Sequence, residues 1–148
     1  MDELQELYRE VILDHNRRPR NFGALSDANH VIEAVNPLCG DKLTLYVKVG
    51  GGRVEDISFE GTGCAISVAS SSLMTERVKG QTLGASLELF AKVHGLLTGA
   101  GDAPEDLDKL AALAGVREYP TRVKCASLAW HALKAAVTGA DGKPVSTE

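Results

Sequence analysis

The stretch DKLTLYVKVGGGRVEDISFEGTGC, residues 41–64, predicts a β-hairpin. Hydrophobic residues alternate with polar ones through most of its first half, which is the period of a strand with one buried face. The glycines at 50–52 then supply the positive φ angles that a tight reversal needs. The second half runs back antiparallel to the first, with Ile57 and Phe59 on one face. We therefore expect the two ends of the hairpin, Asp41 and Cys64, to be neighbours in space.

The ends of this hairpin carry residues that can bind a metal. Cys39 lies two residues before Asp41 in a glycine-containing turn, so its sulfur and the Asp41 carboxylate can point toward one centre with Cys64. Cys125, the third cysteine of the chain, lies 61 residues beyond Cys64 near a predicted helix start. Three thiolates and one carboxylate are four ligands, the number that a tetrahedral zinc site takes. Spacing along the chain does not bring them together, because only tertiary folding can do so.

Length and composition favour one ordinary globular domain over residues 1–148. The chain is 44% hydrophobic and 24% charged, with a formal charge of −4. This charge argues against a nucleic-acid partner, because phosphate neutralisation needs a clustered basic surface, and no hydrophobic run approaches the ~20 residues that span a membrane. The acidic N-terminus is unlike a secretory signal, which favours the cytoplasm. An odd number of cysteines in a reducing compartment indicates metal binding or reactivity rather than disulfides.

The remaining sequence predicts helices on both sides of the hairpin. Hydrophobic residues at helical spacing predict a first helix that ends before Pro19, and the residues from His30 to Val35 predict a short strand. More helices are expected at 65–79, at 82–99, over a short segment from about 102 to 114, and at 121–137. Residues 140–148 are expected to form a frayed tail. The predicted fold class is α+β, with a short antiparallel three-stranded sheet and helices packed on one face.

Two of the cysteines are predicted to lie where a thiolate is favoured. Cys64 and Cys125 are expected at or near helix N-termini, where unpaired N–H groups and the helix dipole stabilise negative charge. Arg122, one helical turn before Cys125, adds a permanent positive charge that can hold a sulfur leaving the metal. The serines at 70–72 are interpreted as small-residue packing within a helix. None of the four histidines belongs to a ligand-spaced motif, so the sequence does not support a cysteine–histidine hydrolase.

Three motifs in order resemble the SufU/IscU family of iron–sulfur cluster assembly proteins. They are Cys39-Gly40-Asp41, Gly63-Cys64-Ala65-Ile66-Ser67 and Arg122-Val123-Lys124-Cys125-Ala126. The similarity extends from the N-terminal helix through Trp130 and beyond, which is nearly the whole chain. It implies a single IscU/SufU-like domain.

The resemblance also implies a site and partners. Zinc would be bound by Cys39, Asp41, Cys64 and Cys125. Cys39 would accept sulfur, and Arg122 would steady the rearranged site. The expected partners are a SufS-like cysteine desulfurase and a SufBCD-like cluster assembly complex.

Departures from the scaffold branch of the family, which resembles IscU, favour the SufU branch of zinc-dependent sulfur-transfer proteins. Lys124 stands where the scaffold branch has a histidine. The segment 119–123 differs from its Leu-Pro-Pro-Val-Lys chaperone-recognition sequence. The stretch between Cys64 and Cys125 is also longer, with roughly one added helical segment. The missing histidine weakens the case that this chain assembles a cluster itself.

Two functions remain open at the level of sequence. In the first, Cys39 attacks a persulfide on the donor enzyme and carries away the outer sulfur, which would make the protein sulfurtransferase-like. In the second, the chain is a scaffold on which a [2Fe–2S] cluster is built from the same four ligands, because thiolates suit iron–sulfur clusters as well as zinc. A purely structural zinc site is less favoured, because structural sites are usually closed by cysteine and histidine and this one includes Asp41.

Overall fold

The hairpin predicted from the sequence is present in the computed structural model, which describes residues 3–37, 40–98, 105–139 and 145–146. Strand β2 of the numbering used below (Asp41–Gly50) pairs antiparallel with β3 (Arg53–Thr62). Gly51 and Gly52 form the reversal with φ angles of 61° and 75°. Positive φ at both central positions is the geometry that lets a two-residue turn match the twist of its strands. The glycine run therefore has the role that the sequence predicted for it.

A third antiparallel strand and a short fourth one complete the sheet. Strand β1 (His30–Asn36) pairs antiparallel with β2, and its last residue lies opposite Asp41. Strand β4 (Val145–Ser146) adds to the outer edge of β1 in parallel, so the sheet order is β3-β2-β1-β4. The three-stranded antiparallel sheet is thus confirmed. The fourth strand was not predicted, because two residues are too few for a hydrophobic period to be recognised.

The sheet has one buried face, and its alternating side chains show which. The buried members are Ile32, Ala34 and Asn36 on β1, Asp41, Leu43, Leu45 and Val47 on β2, and Val54, Ile57 and Phe59 on β3. Helix α4 (Pro120–Val137) packs on β1 and β2, and helix α2 (Ala65–Val78) packs on β3. On the opposite face Val31 is 46% exposed. The prediction of helices on one face of the sheet is confirmed.

The helices begin and end close to the residues that the sequence indicated. Helix α1 covers Glu3–Arg17 and α3 covers Leu83–Thr98. Thr82 caps α3, because its Oγ1 accepts a hydrogen bond from the Ala85 N–H at 3.1 Å. Among the helices in the described part of the chain, none has the length and hydrophobicity needed to cross a membrane.

The segment between α3 and α4 differs from its prediction. It was expected to be a short helix through about Ala114, and it is instead a 3₁₀ helix over Glu105–Glu118. Leu110, Leu113 and Val116 are all buried at a spacing of three residues. A helix with three residues per turn places such positions on one face, whereas the 3.6-residue period of an α-helix would spread them. Burial of these three side chains favours the tighter helix.

Candidate metal centre

Asp41 and Cys64 meet where the hairpin opens. Asp41 is the first residue of β2, and β3 ends at Thr62, which pairs with the next residue of β2, Lys42. The chain then passes directly to Cys64, which is the N-cap residue of α2. The backbone N–H of Cys64 donates to Asp41 Oδ1 at 2.9 Å. The expectation that the two ends of the hairpin converge is therefore confirmed, and the Asp41 carboxylate also binds the start of the following helix.

Cys125 reaches the same point from α4. Its side chain is completely buried, and its Sγ accepts a hydrogen bond from Asn36 Nδ2 at 3.7 Å. Cys125 lies five residues after Pro120, where α4 begins, which is more than one turn into the helix. The stabilisation of negative charge at a helix N-terminus falls off within the first turn. It therefore applies to Cys64, as predicted, and not to Cys125.

The three ligand atoms are spaced as in a metal site. The two sulfurs and one carboxylate oxygen of Asp41, Cys64 and Cys125 all lie within 4.8 Å of one another. Cys64 Sγ is 4.0 Å from Asp41 Oδ2. Zinc–sulfur and zinc–oxygen bond lengths give a mixed tetrahedron edges of about 3.6–3.8 Å. The three residues therefore fit a tetrahedral ion with only small closure of the site, and they leave one corner of the tetrahedron for a fourth ligand.

Arg122 lies one turn before Cys125 and faces the same centre. The pKa of Arg122 is raised above its usual value by the charge of Cys64 and by hydrogen bonds from its guanidinium to the sulfurs of Cys64 and Cys125. A guanidinium is always protonated in proteins, so Arg122 brings a permanent positive charge to both sulfurs. Cysteine binds a metal as the thiolate, and two ligating thiolates with the Asp41 carboxylate, set against one guanidinium, leave two negative charges. That charge suits a divalent cation.

Cys39 was expected to be the fourth ligand, and it lies outside the described residues. The described residues on either side of it are informative. Asn36 and Asp41 lie opposite each other in the pairing of β1 with β2, so the short connection that contains Cys39 begins and ends beside the site. The participation of Cys39 stays a prediction.

Comparison with known proteins assigns the chain to a family. Residues 7–146 match the family described as the NifU-like N-terminal domain. The chain belongs to the NifU-like N-terminal domain family. The resemblance inferred from the three cysteine motifs is confirmed by this match and by relatives that carry the SufU and IscU names.

Three relatives of this NifU-like chain show how widely the similarity extends. It is 43% identical to the zinc-dependent sulfurtransferase SufU of Bacillus subtilis, over 94% of this chain and 95% of that protein. It is 41% identical to the iron–sulfur cluster assembly scaffold protein IscU of Streptococcus pyogenes, over 93% and 86%. A crystal structure of a candidate iron–sulfur cluster assembly scaffold protein for the SUF system of Fervidobacterium islandicum superposes with a TM-score of 0.83 and 34% identity, covering 90% of this chain and 98% of that one. The nearly equal identities do not separate sulfur transfer from scaffolding.

Sequence reasoning missed two residues that shape the centre of this NifU-like domain. Asn36, fully buried, contacts the Cys125 sulfur. Gly63 lies so close to Asp41 that a Cβ at this position would be 2.8 Å from Asp41 Oδ1. A signal for Asn36 was present, since a polar residue occupies the third position of an otherwise hydrophobic inward stripe on β1. The close approach at Gly63 has no signature in the sequence.

The histidines described by the structure lie in other environments. His15 is buried, and its Nδ1 is 2.7 Å from Ser72 Oγ. His94 and His131 pack their rings against Phe90, with centroids 5.7 Å and 5.4 Å from it. Among the described residues, the group of possible metal ligands consists of Asp41, Cys64 and Cys125.

Proposed function

We propose that this protein is a zinc-dependent sulfur acceptor in iron–sulfur cluster assembly, which takes persulfide sulfur from a cysteine desulfurase and delivers it to the cluster assembly machinery. Zinc-dependent sulfur transfer is the activity named for the Bacillus relative, and cluster assembly is the role named for the streptococcal one. The observation that carries the proposal is the centre of Asp41, Cys64 and Cys125, with Arg122 in contact with both sulfurs. We place this activity in the cytoplasm, where thiols stay reduced.

The donor set supports an exchangeable site more than a purely structural one. Structural zinc sites are usually closed by cysteine and histidine, whereas here a carboxylate oxygen of Asp41 lies within 4.8 Å of two sulfurs. Zinc bound here would keep its cysteine ligands deprotonated at neutral pH. Cys125 is anchored inside the protein, and Cys64 is partly exposed. The metal would therefore be held from within by Cys125 and Asp41, while its outer side stays open to a partner.

Cys39 is the nucleophile of the proposed transfer. Its thiolate attacks the outer sulfur of a persulfide on the desulfurase, and a new sulfur–sulfur bond forms at Cys39. The bond between the two sulfurs of the donor persulfide breaks, and the donor cysteine leaves as a thiolate. This exchange is balanced in electrons, so it needs no added oxidant or reductant. Arg122, whose guanidinium already contacts two sulfurs of the centre, stabilises the negative charge on sulfur while Cys39 is engaged with the donor.

A scaffold function is the second candidate, and its support is the identity with proteins named as scaffolds. In that case the cluster is cargo that the same cysteines and Asp41 would hold for transfer to other proteins. Two features of the sequence favour sulfur transfer instead. Lys124 occupies the position where the scaffold branch of the family has a histidine, and the stretch between Cys64 and Cys125 is longer than in that branch.

Intact mass spectrometry tests the proposal directly. The zinc-loaded protein is incubated with a SufS-type cysteine desulfurase and cysteine, and we expect a gain of one sulfur atom in mass that a thiol reductant removes. Cys39→Ser should abolish this gain because the nucleophile is missing. Cys125→Ser keeps the acceptor, so it should still acquire sulfur if it folds, but more slowly than wild type because a zinc ligand is missing.

Metal analysis of aerobic and anaerobic preparations separates the two candidates. A colourless protein with one zinc per chain in both preparations supports sulfur transfer. A brown protein with iron and acid-labile sulfide after anaerobic preparation supports the scaffold. If mass spectrometry instead shows that Cys39→Ser gains a sulfur atom and Cys125→Ser does not, the acceptor is Cys125 and not Cys39.

A further inference from the structure

Asn36 ends a stripe of inward-facing side chains on β1. Ile32, Ala34 and Asn36 alternate with outward-facing residues, and all three are buried. The first two belong to the hydrophobic core. Asn36 lies opposite Asp41 in the pairing of β1 with β2, so the last inward position of one strand is beside the first inward position of the next. A polar side chain is therefore placed at the inner wall of the metal centre by strand register alone.

The amide of Asn36 makes a contact that a core residue would not need. Its Nδ2 donates to Cys125 Sγ at 3.7 Å, and both residues are completely buried. Its Oδ1 has no hydrogen-bond partner among the described residues. Buried polar atoms are nearly always paired, because an unpaired one destabilises the folded state. A hydrophobic residue of the same size would avoid that cost, so the stability of the fold does not explain an asparagine here.

We propose that Asn36 is a positioning residue of the metal centre, whose side-chain N–H fixes the Cys125 sulfur in its ligating orientation. The proposal rests on the metal centre described above. Cys125 is too far along α4 to receive hydrogen bonds from the free N–H groups at the helix start, and Arg122 approaches from the exposed side of the centre. Asn36 supplies the interior donor. Partners behind a metal ligand orient it and tune its electron donation, and their loss typically lowers metal affinity 10–100-fold.

The test compares zinc affinity in Asn36→Leu and in wild-type protein by competition with a chromophoric chelator. Leucine keeps the branching and the number of side-chain heavy atoms and removes the donor, so we expect affinity to fall roughly 10–100-fold. Ser58→Ala is the matched control, because Ser58 is also a buried polar residue on the sheet with an unpaired oxygen, and it lies away from the centre. This control should bind zinc within about twofold of wild type.

A second readout reports on the sulfur itself. In cobalt-substituted protein, loss of an N–H···S hydrogen bond raises the energy of the sulfur lone pair, so the sulfur-to-cobalt charge-transfer band of Asn36→Leu should move to lower energy. The same band in Ser58→Ala should not move. A structural effect of Asn36 on folding alone would leave this band in place.

The inference fails separately from the proposed function. If wild-type protein binds zinc and cobalt but Asn36→Leu matches it in affinity and spectrum, Asn36 has no positioning role and the metal centre stands. If the wild type binds neither ion, both proposals are overturned. If Asn36→Leu does not fold, NMR spectroscopy of wild-type protein loaded with cadmium-113 tests the hydrogen bond instead. Scalar coupling between the Asn36 side-chain amide and the metal through Cys125 supports the hydrogen bond, and its absence in a resolved amide signal refutes it.

Discussion

Helix α2 contacts two polar regions that differ in how completely their polar groups are paired. Its N-cap residue Cys64 belongs to the metal centre, and its middle carries Ser70, Ser71 and Ser72, which with their partners form what we call the serine cluster. In this cluster Trp130 Nε1 donates to Ser70 Oγ at 3.1 Å, and Ser70 Oγ donates to the Ala126 carbonyl at 2.6 Å. Ser72 Oγ accepts from the Arg20 N–H at 2.8 Å and pairs with His15. Every serine hydroxyl there has a partner.

In the metal centre, by contrast, not every polar group has a hydrogen-bond partner among the described residues. Asn36 Oδ1 is buried without a partner in the described part of the chain, and two sulfurs and a carboxylate lie within reach of one another. Groups that repel each other when charged are costly to gather unless something binds them. The comparison teaches that buried polarity alone does not indicate a functional site. Polar groups that satisfy one another stabilise the fold, whereas an unsatisfied group beside several ligand atoms of like charge indicates a ligand.

Substitution of two glycines near the metal centre should give the largest effects. One substitution should mainly lower the stability of the fold, and the other should mainly lower zinc affinity. Gly61 has a φ of 151°, and a Cβ there would lie 2.1 Å from the Lys42 carbonyl oxygen. Gly61→Ala should lower the free energy of unfolding by about 1–3 kcal/mol from backbone conformation alone, and by more from the clash with β2. Gly63→Ala instead pushes on the Asp41 carboxylate, so we expect zinc affinity to fall roughly 10-fold with less loss of stability.

Denaturant unfolding and chelator competition on the same two variants check this difference. Each glycine variant serves as the control for the other, since the residues are only two positions apart. Equal loss of stability in both, with zinc affinity unchanged in Gly63→Ala, would contradict the assignment of Gly63 to the site.

An intermediate effect is expected in the serine cluster. Ser70→Ala removes the acceptor of the buried Trp130 N–H, and an unpaired buried donor costs about 1–3 kcal/mol. Zinc affinity should be unchanged, because no ligand is touched. Ser71→Ala is the matched control, since among the described residues its hydroxyl bonds to the Ser67 carbonyl one turn earlier in the same helix. Thermal unfolding should show a clear drop for Ser70→Ala and a small one for Ser71→Ala. A change in zinc binding for Ser70→Ala would show that the two regions are coupled.

The smallest effect should be a dependence of stability on pH at the His15 end of the cluster. Burial lowers the pKa of His15. The positive charges of Arg20 and Lys109 lower it further, and the negative charges of Glu76 and Asp14 oppose the shift without cancelling it. The folded state therefore binds fewer protons than the unfolded state at pH values between the lowered pKa of His15 and its ordinary pKa of 6.5. Stability should be constant above that value and should fall as the pH drops through it toward the lowered pKa of the folded protein.

Unfolding midpoints of metal-free protein between about pH 7 and pH 5 measure this dependence without a contribution from metal release. In His15→Gln the decline should be smaller than in wild type. Some decline should remain, because burial lowers the pKa of His131 as well. An equal decline in both proteins would assign the pH dependence to other groups.

Much of the fold was predictable because its signals are local. The alternation along β2 and the glycines at 51–52 predicted the hairpin, and Thr82 predicted the start of α3. The 3₁₀ helix over Glu105–Glu118 and the two-residue strand β4 were not predicted. Both depend on packing against the rest of the chain, which local sequence does not encode strongly.

The sequence by itself determined which residues could bind a metal, because cysteine and aspartate at the two ends of one hairpin must lie close together whatever the rest of the chain does. It also determined that Cys64 starts a helix. Only the tertiary structure decided that Cys125 joins them more than a turn inside α4, and that Asn36 is the residue behind it. The reason is physical: strand pairing and turns act between near neighbours, whereas the approach of α4 to the sheet depends on how every buried side chain between them packs.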